Sequence, residues 1–160
     1  MITHTVNVTV PNAKAEDFYH FMINPTTQRY REWWEGEHLQ FYIIKKGQPN
    51  HQGDLVFMDE YIGINHRLVF CAKVIIANHP HQIVWQMIKA GLRLPAFVTL
   101  TLNDTPQGVH LTHQVQLGFK GLGNILDPFI RLYFNASFQK ALTKHCQIEW
   151  FKLADYLKYS

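Results

Sequence analysis

Residues 2–10 alternate in polarity, with Val6, Val8 and Val10 on one face and Thr5, Asn7 and Thr9 on the other. A period of two marks a half-buried strand, because successive strand side chains point to opposite faces. Pro11-Asn12 ends it. The period then lengthens to that of a helix. Ala15, Phe18, Tyr19 and Met22 form one apolar stripe over Ala13–Ile23, and Asn12 stands where a capping side chain is expected. Asn24-Pro25 stops this helix, and a second short helix is predicted over Thr26–Trp34.

From Leu39 the pattern is that of strands, predicted near 39–46, 53–62, 66–77, 81–90, 95–103 and 108–119. Gly47-Gln48-Pro49-Asn50, Gly63-Ile64-Asn65, Asn78-His79-Pro80, Gly91 and the stretch 103–108 separate them, as turn residues at hairpin spacing. After Gly121-Leu122-Gly123 a long helix is predicted to begin near Asn124–Asp127, with Pro128 in its first turn, and to run to about Tyr156. Phe134, Phe138, Ala141, Leu142, Ile148, Leu153 and Tyr156 make its apolar stripe. The order is strand, two helices, six strands, long helix, with no repeat or linker. It predicts one α+β domain over 1–160, a helix-grip fold: a curved seven-stranded antiparallel sheet around a long C-terminal helix, with a cavity between them. This element order resembles the START and Bet v 1 type (SRPBCC) superfamily, which implies a pocket for a small hydrophobic or aromatic ligand.

Composition changes this picture little. Of the 160 residues, 47% are apolar, enough for a substantial core. The formal charge is +3, and Lys and Arg are scattered singly. No basic stripe for nucleic acid is expected. No segment reaches the roughly 20 apolar residues of a membrane span. Met1-Ile2-Thr3-His4-Thr5-Val6 has neither a basic start nor an apolar run, so no signal peptide is expected. Cys71 and Cys146 stand apart from any CxxC pair, which fits a reducing cytoplasm. A homodimer is compatible with the sequence. Ten histidines is a high count and draws attention to metal or acid–base chemistry.

Five positions stand out. His145 and Glu149 are four apart on the long helix, hence on one face, and that face is the apolar stripe. A buried imidazole beside a buried carboxylate calls for compensation. A divalent metal would supply it, since both groups are zinc ligands; an ordinary half-buried His–Glu pair is the alternative. Glu60 alternates with Val56, Met58 and Ile62, while Leu55, Phe57, Asp59 and Tyr61 line the opposite face. Either face of that strand could be the inner one. His113 lies within the alternation Val109, Leu111, His113, Val115, Leu117, Phe119, and so faces inward, as a hydrogen-bonded core residue or a cavity residue. His38 follows Trp33-Trp34 at the junction of the second helix and the next strand, as a rim contact or a metal ligand.

Tyr30 with His38 eight residues on, Glu60 on a strand, and His145-Cys146-x-x-Glu149 followed by Leu153-Ala154-x-x-Leu157 resemble the diacetylphloroglucinol hydrolase family, a branch of the helix-grip superfamily. The resemblance covers Tyr30 to the C-terminus. It implies a zinc-dependent hydrolase that removes an acyl group from a phenolic ring by cleaving a carbon–carbon bond. It implies one Zn2+ per chain, held by His38, Glu60, His145 and Glu149. It also implies catalytic roles for His113, as proton donor or oxygen partner, and for Tyr30, as a donor to phenolic oxygens. Gln40 and Phe41 stand where that family carries an asparagine, and within 121–135 only Tyr133 offers a match to its further tyrosine. Two other classes remain on this fold: a non-catalytic carrier of lipid, polyketide or quinone, and a metal-free polyketide cyclase or dehydratase with His113 as base.

Overall fold

The computed structural model describes residues 1–63, 66–118 and 134–159. Strand β1 (Ile2–Pro11) leads to helices α1 (Ala15–Ile23) and α2 (Thr27–Trp33). Strands β2 (His38–Lys45), β3 (Leu55–Tyr61), β4 (Arg67–Asn78), β5 (Gln82–Lys89), β6 (Leu92–Thr105) and β7 (Gly108–Leu117) follow, and then helix α3 (Ala136–Tyr159). The strands form one seven-stranded sheet in the order β1-β7-β6-β5-β4-β3-β2. Each neighbouring pair is antiparallel. This is the helix-grip architecture that the element order predicts. Among the described residues, no helix is long and apolar enough to cross a membrane.

The alternation decides which face is inside. Val6, Val8 and Val10 of β1 and Val109, Leu111 and Val115 of β7 are buried. Val8 pairs with Leu111 and Val10 with Val109 across the strands, and all six meet Leu142, Cys146, Trp150 and Leu153 of α3 in the core. Each such buried aliphatic side chain contributes roughly 2 kcal/mol of transfer free energy. His4 Nε2 and Thr143 Oγ1 lie 2.9 Å apart and tie β1 to α3. Register shifts between His38 and Gln40, Ile43 and Lys45, Val74 and Ile76, and Gln86 and Ile88 bend the sheet around the helix. Pro95 falls opposite the last of these, where its missing N–H costs no regular ladder bond.

Several boundaries differ from the sequence expectation. Asn12 does not cap α1; it adopts a left-handed turn conformation, φ 58°. The helix starts two residues later, and the Ala15 N–H donates to Asp104 Oδ1 at 2.8 Å. The capping carboxylate thus comes from the far end of the β6–β7 hairpin, which local sequence cannot reveal. Strand β6 is longer than predicted, because the two-residue turn Ala90-Gly91, with φ 50° and 77°, lets it pair with β5 at once. The predicted helix start at 124–127, Pro128 and the Gly121-Leu122-Gly123 segment lie outside the described residues. Phe134 and Asn135 are not helical, and the Asn135 side chain accepts from the Phe138 N–H at 3.0 Å, capping α3. Ile148 was expected in the apolar stripe but is exposed. The inward stripe runs Phe138, Leu142, His145, Cys146, Glu149, Leu153, which contains polar residues and skips position 148.

Candidate functional site

Helix α2 and strand β2 deliver His38. Thr26 caps α2 by accepting from the Arg29 N–H at 3.2 Å, and the helix ends on Trp33-Trp34. His38 follows as the first residue of β2, beside the register shift that leaves Leu39 unpaired. Its ring stacks on Tyr30, with centroids 4.4 Å apart, and packs against Trp33 at 4.1 Å. Of the two readings of His38, the structure does not support the rim contact, because His38 is only 1% exposed. Helix α3 delivers His145 and Glu149 from the other side, both buried. Trp34 stacks on His145 at 4.5 Å, and the Trp33 indole N–H donates to the Glu149 carbonyl at 3.2 Å. Two tryptophans thus join α2 to α3 at the point where the histidines meet.

Glu149 Oε1 lies 3.5 Å from His38 Nε2 and 3.9 Å from His145 Nε2. One ligand atom from each of the three residues lies within 4.8 Å of the others. Zinc bonds of about 2.0–2.2 Å put tetrahedral neighbours about 3.4 Å apart, so small rotations would bring this set onto one ion. Both ring nitrogens of His38 and of His145 are buried without a side-chain hydrogen-bond partner, and the Tyr30 backbone is a further polar group that acts on the His38 ring. Such orphaned polar atoms are costly and rare in a folded interior. A metal would satisfy one nitrogen on each ring, so the donor set fits the group that the resemblance implies.

Glu60 occupies the inner face of β3, directly across from His38 in the ladder, and lines a cavity together with His145 and Glu149. That settles the open register in favour of Val56, Met58 and Ile62, which are all buried. Its Oε2 accepts a short hydrogen bond from the Tyr30 hydroxyl, and Glu60 stands outside the three-residue group. Asp59 on the opposite face is satisfied by Arg67, at 2.8 and 2.9 Å. His113 faces inward as the alternation implies, with Nδ1 3.4 Å from Cys146 Sγ.

Two residues escaped the sequence. The Oε2 of Glu37 is buried without a hydrogen-bond partner, 3.7 Å from His145 Nδ1. A carboxylate in a short polar loop carries no periodic signal. Trp85 presents a buried, unpartnered indole N–H and lines the cavity. The only local sign was its place in the Ile83-x-Trp85-x-Met87 alternation of β5.

Burial governs the charges. It lowers the pKa of His38 and of His113 to about 4, raises that of Glu149 to about 7, and also lowers His145 and raises Glu60. Burial and the adjacent Glu60 hold the Tyr30 phenol well above its usual value. The imidazoles are therefore neutral near pH 7, which is the metal-binding form. Tyr30, Glu60, His113, His145 and Glu149 line a cavity of about 140 Å³ whose other walls include Phe41, Phe70, Trp85, Leu100 and Phe138. Cavities near 150 Å³ accept a single benzene ring.

A pH dependence of stability follows for the metal-free chain. His113 has a folded pKa near 4 and an ordinary value of 6.5. As pH falls through that window the unfolded chain takes the proton first, so the neutral buried ring disfavours folding progressively. Thermal melts of wild type and His113→Phe should differ by a constant amount at pH 7 and 8. Below about 6.5 the wild type should lose ground to the variant until about pH 4. A difference that stays flat across that range would exclude a buried, neutral His113.

No protein-family model matches the chain, and no curated protein matches it. Solved structures share its shape at low identity. The KanY protein is 12% identical with a TM-score of 0.64, over 98% of this chain and 97% of that one. A polyketide-cyclase-like protein from Corynebacterium glutamicum is 13% identical with a TM-score of 0.51, over 98% and 89%. The major latex-like protein 151 of Panax ginseng is 10% identical with a TM-score of 0.55, over 91% and 98%. The fold is thus the Bet v 1-like helix-grip fold.

Proposed function

We propose that this protein is a zinc-dependent hydrolase that cleaves an acyl–carbon bond in a small aromatic substrate. His38, His145 and Glu149 would hold the metal, with Glu60 as the adjacent carboxylate. The observation that carries this reading is the convergence of two buried histidines, whose ring nitrogens make no side-chain hydrogen bond, on a buried glutamate. Two His and one Glu is a catalytic zinc set that leaves a fourth position open.

When bound there, zinc supplies a water of lowered pKa and polarises a carbonyl. The protein's own residues supply the rest. Tyr30 keeps its proton and donates it in a hydrogen bond to Glu60, which orients the hydroxyl so that its oxygen can accept from a phenolic O–H of the substrate. Burial also keeps the Cys146 thiol protonated. Its S–H can donate to His113 Nδ1, which leaves the ring's own proton on Nε2. Neutral His113 is then a hydrogen-bond partner for a substrate oxygen and gives up a proton only by taking one back. Trp85 offers a second unpaired N–H at the cavity wall. The aromatic lining favours a flat ring and excludes bulk water.

Glu37 fits a supporting role. Metal-bound histidines usually donate their second ring N–H to a carboxylate, which fixes the tautomer and strengthens the ligand. His145 Nδ1 and Glu37 Oε2 face each other for that purpose. Glu37→Gln should weaken zinc binding by about 10–100-fold without abolishing it, as read by competition with a chromogenic chelator. Wild-type affinity in this variant would remove Glu37 from the site.

The direct test is metal content and turnover. Purified or zinc-incubated protein should keep one buried zinc through dialysis and release acid from an acylated phloroglucinol. Absence of stoichiometric metal after both treatments rules the hydrolase out. The second reading is a metal-free ligand carrier or polyketide cyclase. It is supported by the largely apolar cavity and by the shape shared with a polyketide-cyclase-like protein. A carrier would bind single-ring aromatics equally well after Glu149→Gln and turn none over.

A further inference from the structure

A second group of metal-ligating side chains lies on the surface, away from the cavity. Glu16 and His20 are four apart on one face of α1, and His79 sits in the turn between β4 and β5. His20 Nε2 and His79 Nε2 are 3.3 Å apart. Glu16 Oε1 lies 3.6 Å from the first and 4.0 Å from the second. We propose that Glu16, His20 and His79 form a surface site for one divalent, imidazole-seeking metal ion of the zinc or copper class, which staples α1 to the β4–β5 turn.

The distances support this directly. Four ligands around zinc at about 2.0–2.1 Å stand about 3.4 Å from one another. Two nitrogens at 3.3 Å and an oxygen at 3.6 and 4.0 Å form one near-regular face of such a tetrahedron. A hydrogen bond between the imidazoles can use the two nitrogens, yet it leaves the carboxylate beyond hydrogen-bond distance of both. One cation would engage all three. The rings are not stacked against each other, since their planes are 48° apart at 4.9 Å, so their edges converge rather than their faces.

The frame is braced from both sides. Tyr19 packs edge-on against His79 at 4.9 Å and 88°. The start of α1 is pinned by the Ala15–Asp104 hydrogen bond, and Phe18 and Phe21 anchor its inner face. The three side chains are open to solvent, at 62%, 63% and 46% exposure, so water completes the coordination. Two imidazoles and one carboxylate prefer zinc, copper or nickel over calcium or magnesium. An ion joining a helix to a hairpin turn would also raise thermal stability by mass action.

The experiment is a zinc titration of the full chain by calorimetry, for wild type, His20→Ala and His79→Ala. All three positions are exposed, so the variants are expected to fold. Each variant should bind one zinc fewer than wild type and lose the rise in melting temperature that added zinc produces. Copper(II) paramagnetic resonance, compared between wild type and each variant, should lose the contribution of one two-imidazole centre in either variant. Identical stoichiometry and an identical copper spectrum in wild type and both variants would overturn the proposal. The count is a difference, so it is readable whether or not the buried group also takes zinc.

Discussion

Replacing His145 by alanine is expected to strip the buried zinc from the protein and to reduce turnover of acylated phenols to background. Among the described residues, His145 contributes one of three convergent ligand atoms, and its ring lies between Glu149 and Glu37. The two that remain, on His38 and Glu149, cannot hold a divalent ion against water. The loss should therefore be of several kcal/mol in metal affinity rather than a modest weakening. Metal analysis after dialysis and a chelator-competition titration read this directly. The same residue makes an opposite forecast for the empty protein. Both His145 nitrogens are buried without partners, and an orphaned buried polar group costs about 1–3 kcal/mol. His145→Leu removes that cost and keeps the volume filled, so the metal-free variant should melt higher than the metal-free wild type. A site evolved only for packing would show the reverse. Retention of wild-type zinc affinity in His145→Ala would sink the metal reading altogether.

Trp150→Ala should have the largest effect on the fold itself. Trp150 is 2% exposed and stands at the junction of every layer. Its ring lies 6.4 Å from Phe18 of α1, 6.0 Å from Trp33 of α2 and 6.1 Å from His113 of β7. Truncating a buried tryptophan costs about 3–5 kcal/mol, through lost transfer energy and an unfilled void. A domain of this size is stable by only about 5–15 kcal/mol, so the melting temperature should drop by roughly 10 °C. The effect should spread to the candidate site. Trp33 is held by Trp150 and in turn packs on His38, so zinc affinity should weaken in the same variant. Trp150→Phe keeps most of the contact and should recover most of both losses. Chemical denaturation of the three proteins, with zinc affinity measured beside it, separates the two effects. A Trp150→Ala protein that melts within about 1 °C of wild type would exclude the central position given to this ring.

How much of this was legible beforehand depended on whether a position repeats. Strands β1 and β7 were legible because Val6, Val8, Val10 and Val109, Leu111, Val115 alternate without exception. That same regularity placed His113 inward. His145 and Glu149 were legible as a pair because four residues is one helical turn. Glu60 was half legible: its strand has apolar residues on both faces, and only the covering helix decides between them. Asp104 as the cap of α1, Glu37 beside His145 and the unpaired Trp85 N–H were not legible. Asp104 and Glu37 act on partners tens of residues away, the burial of the Trp85 N–H is set by the packed fold, and no local period encodes either. Ile148 shows the converse error, an apolar residue in a plausible stripe that the rotation of α3 turns to solvent.

Element order, the seven strands, the long amphipathic helix and a short roster of odd polar residues were therefore determined by sequence alone, because hydrophobic periodicity is a local property of the chain. Tertiary structure decided the rest. It set the curvature, which comes from register shifts between strands. It set the rotation of α3, which follows from packing Phe138, Leu142, Trp150 and Leu153. It also drew His38, His145 and Glu149 together while pairing Glu60 with Tyr30. Side-chain convergence depends on angstrom-scale placement of three separate elements, and only the packed core provides it.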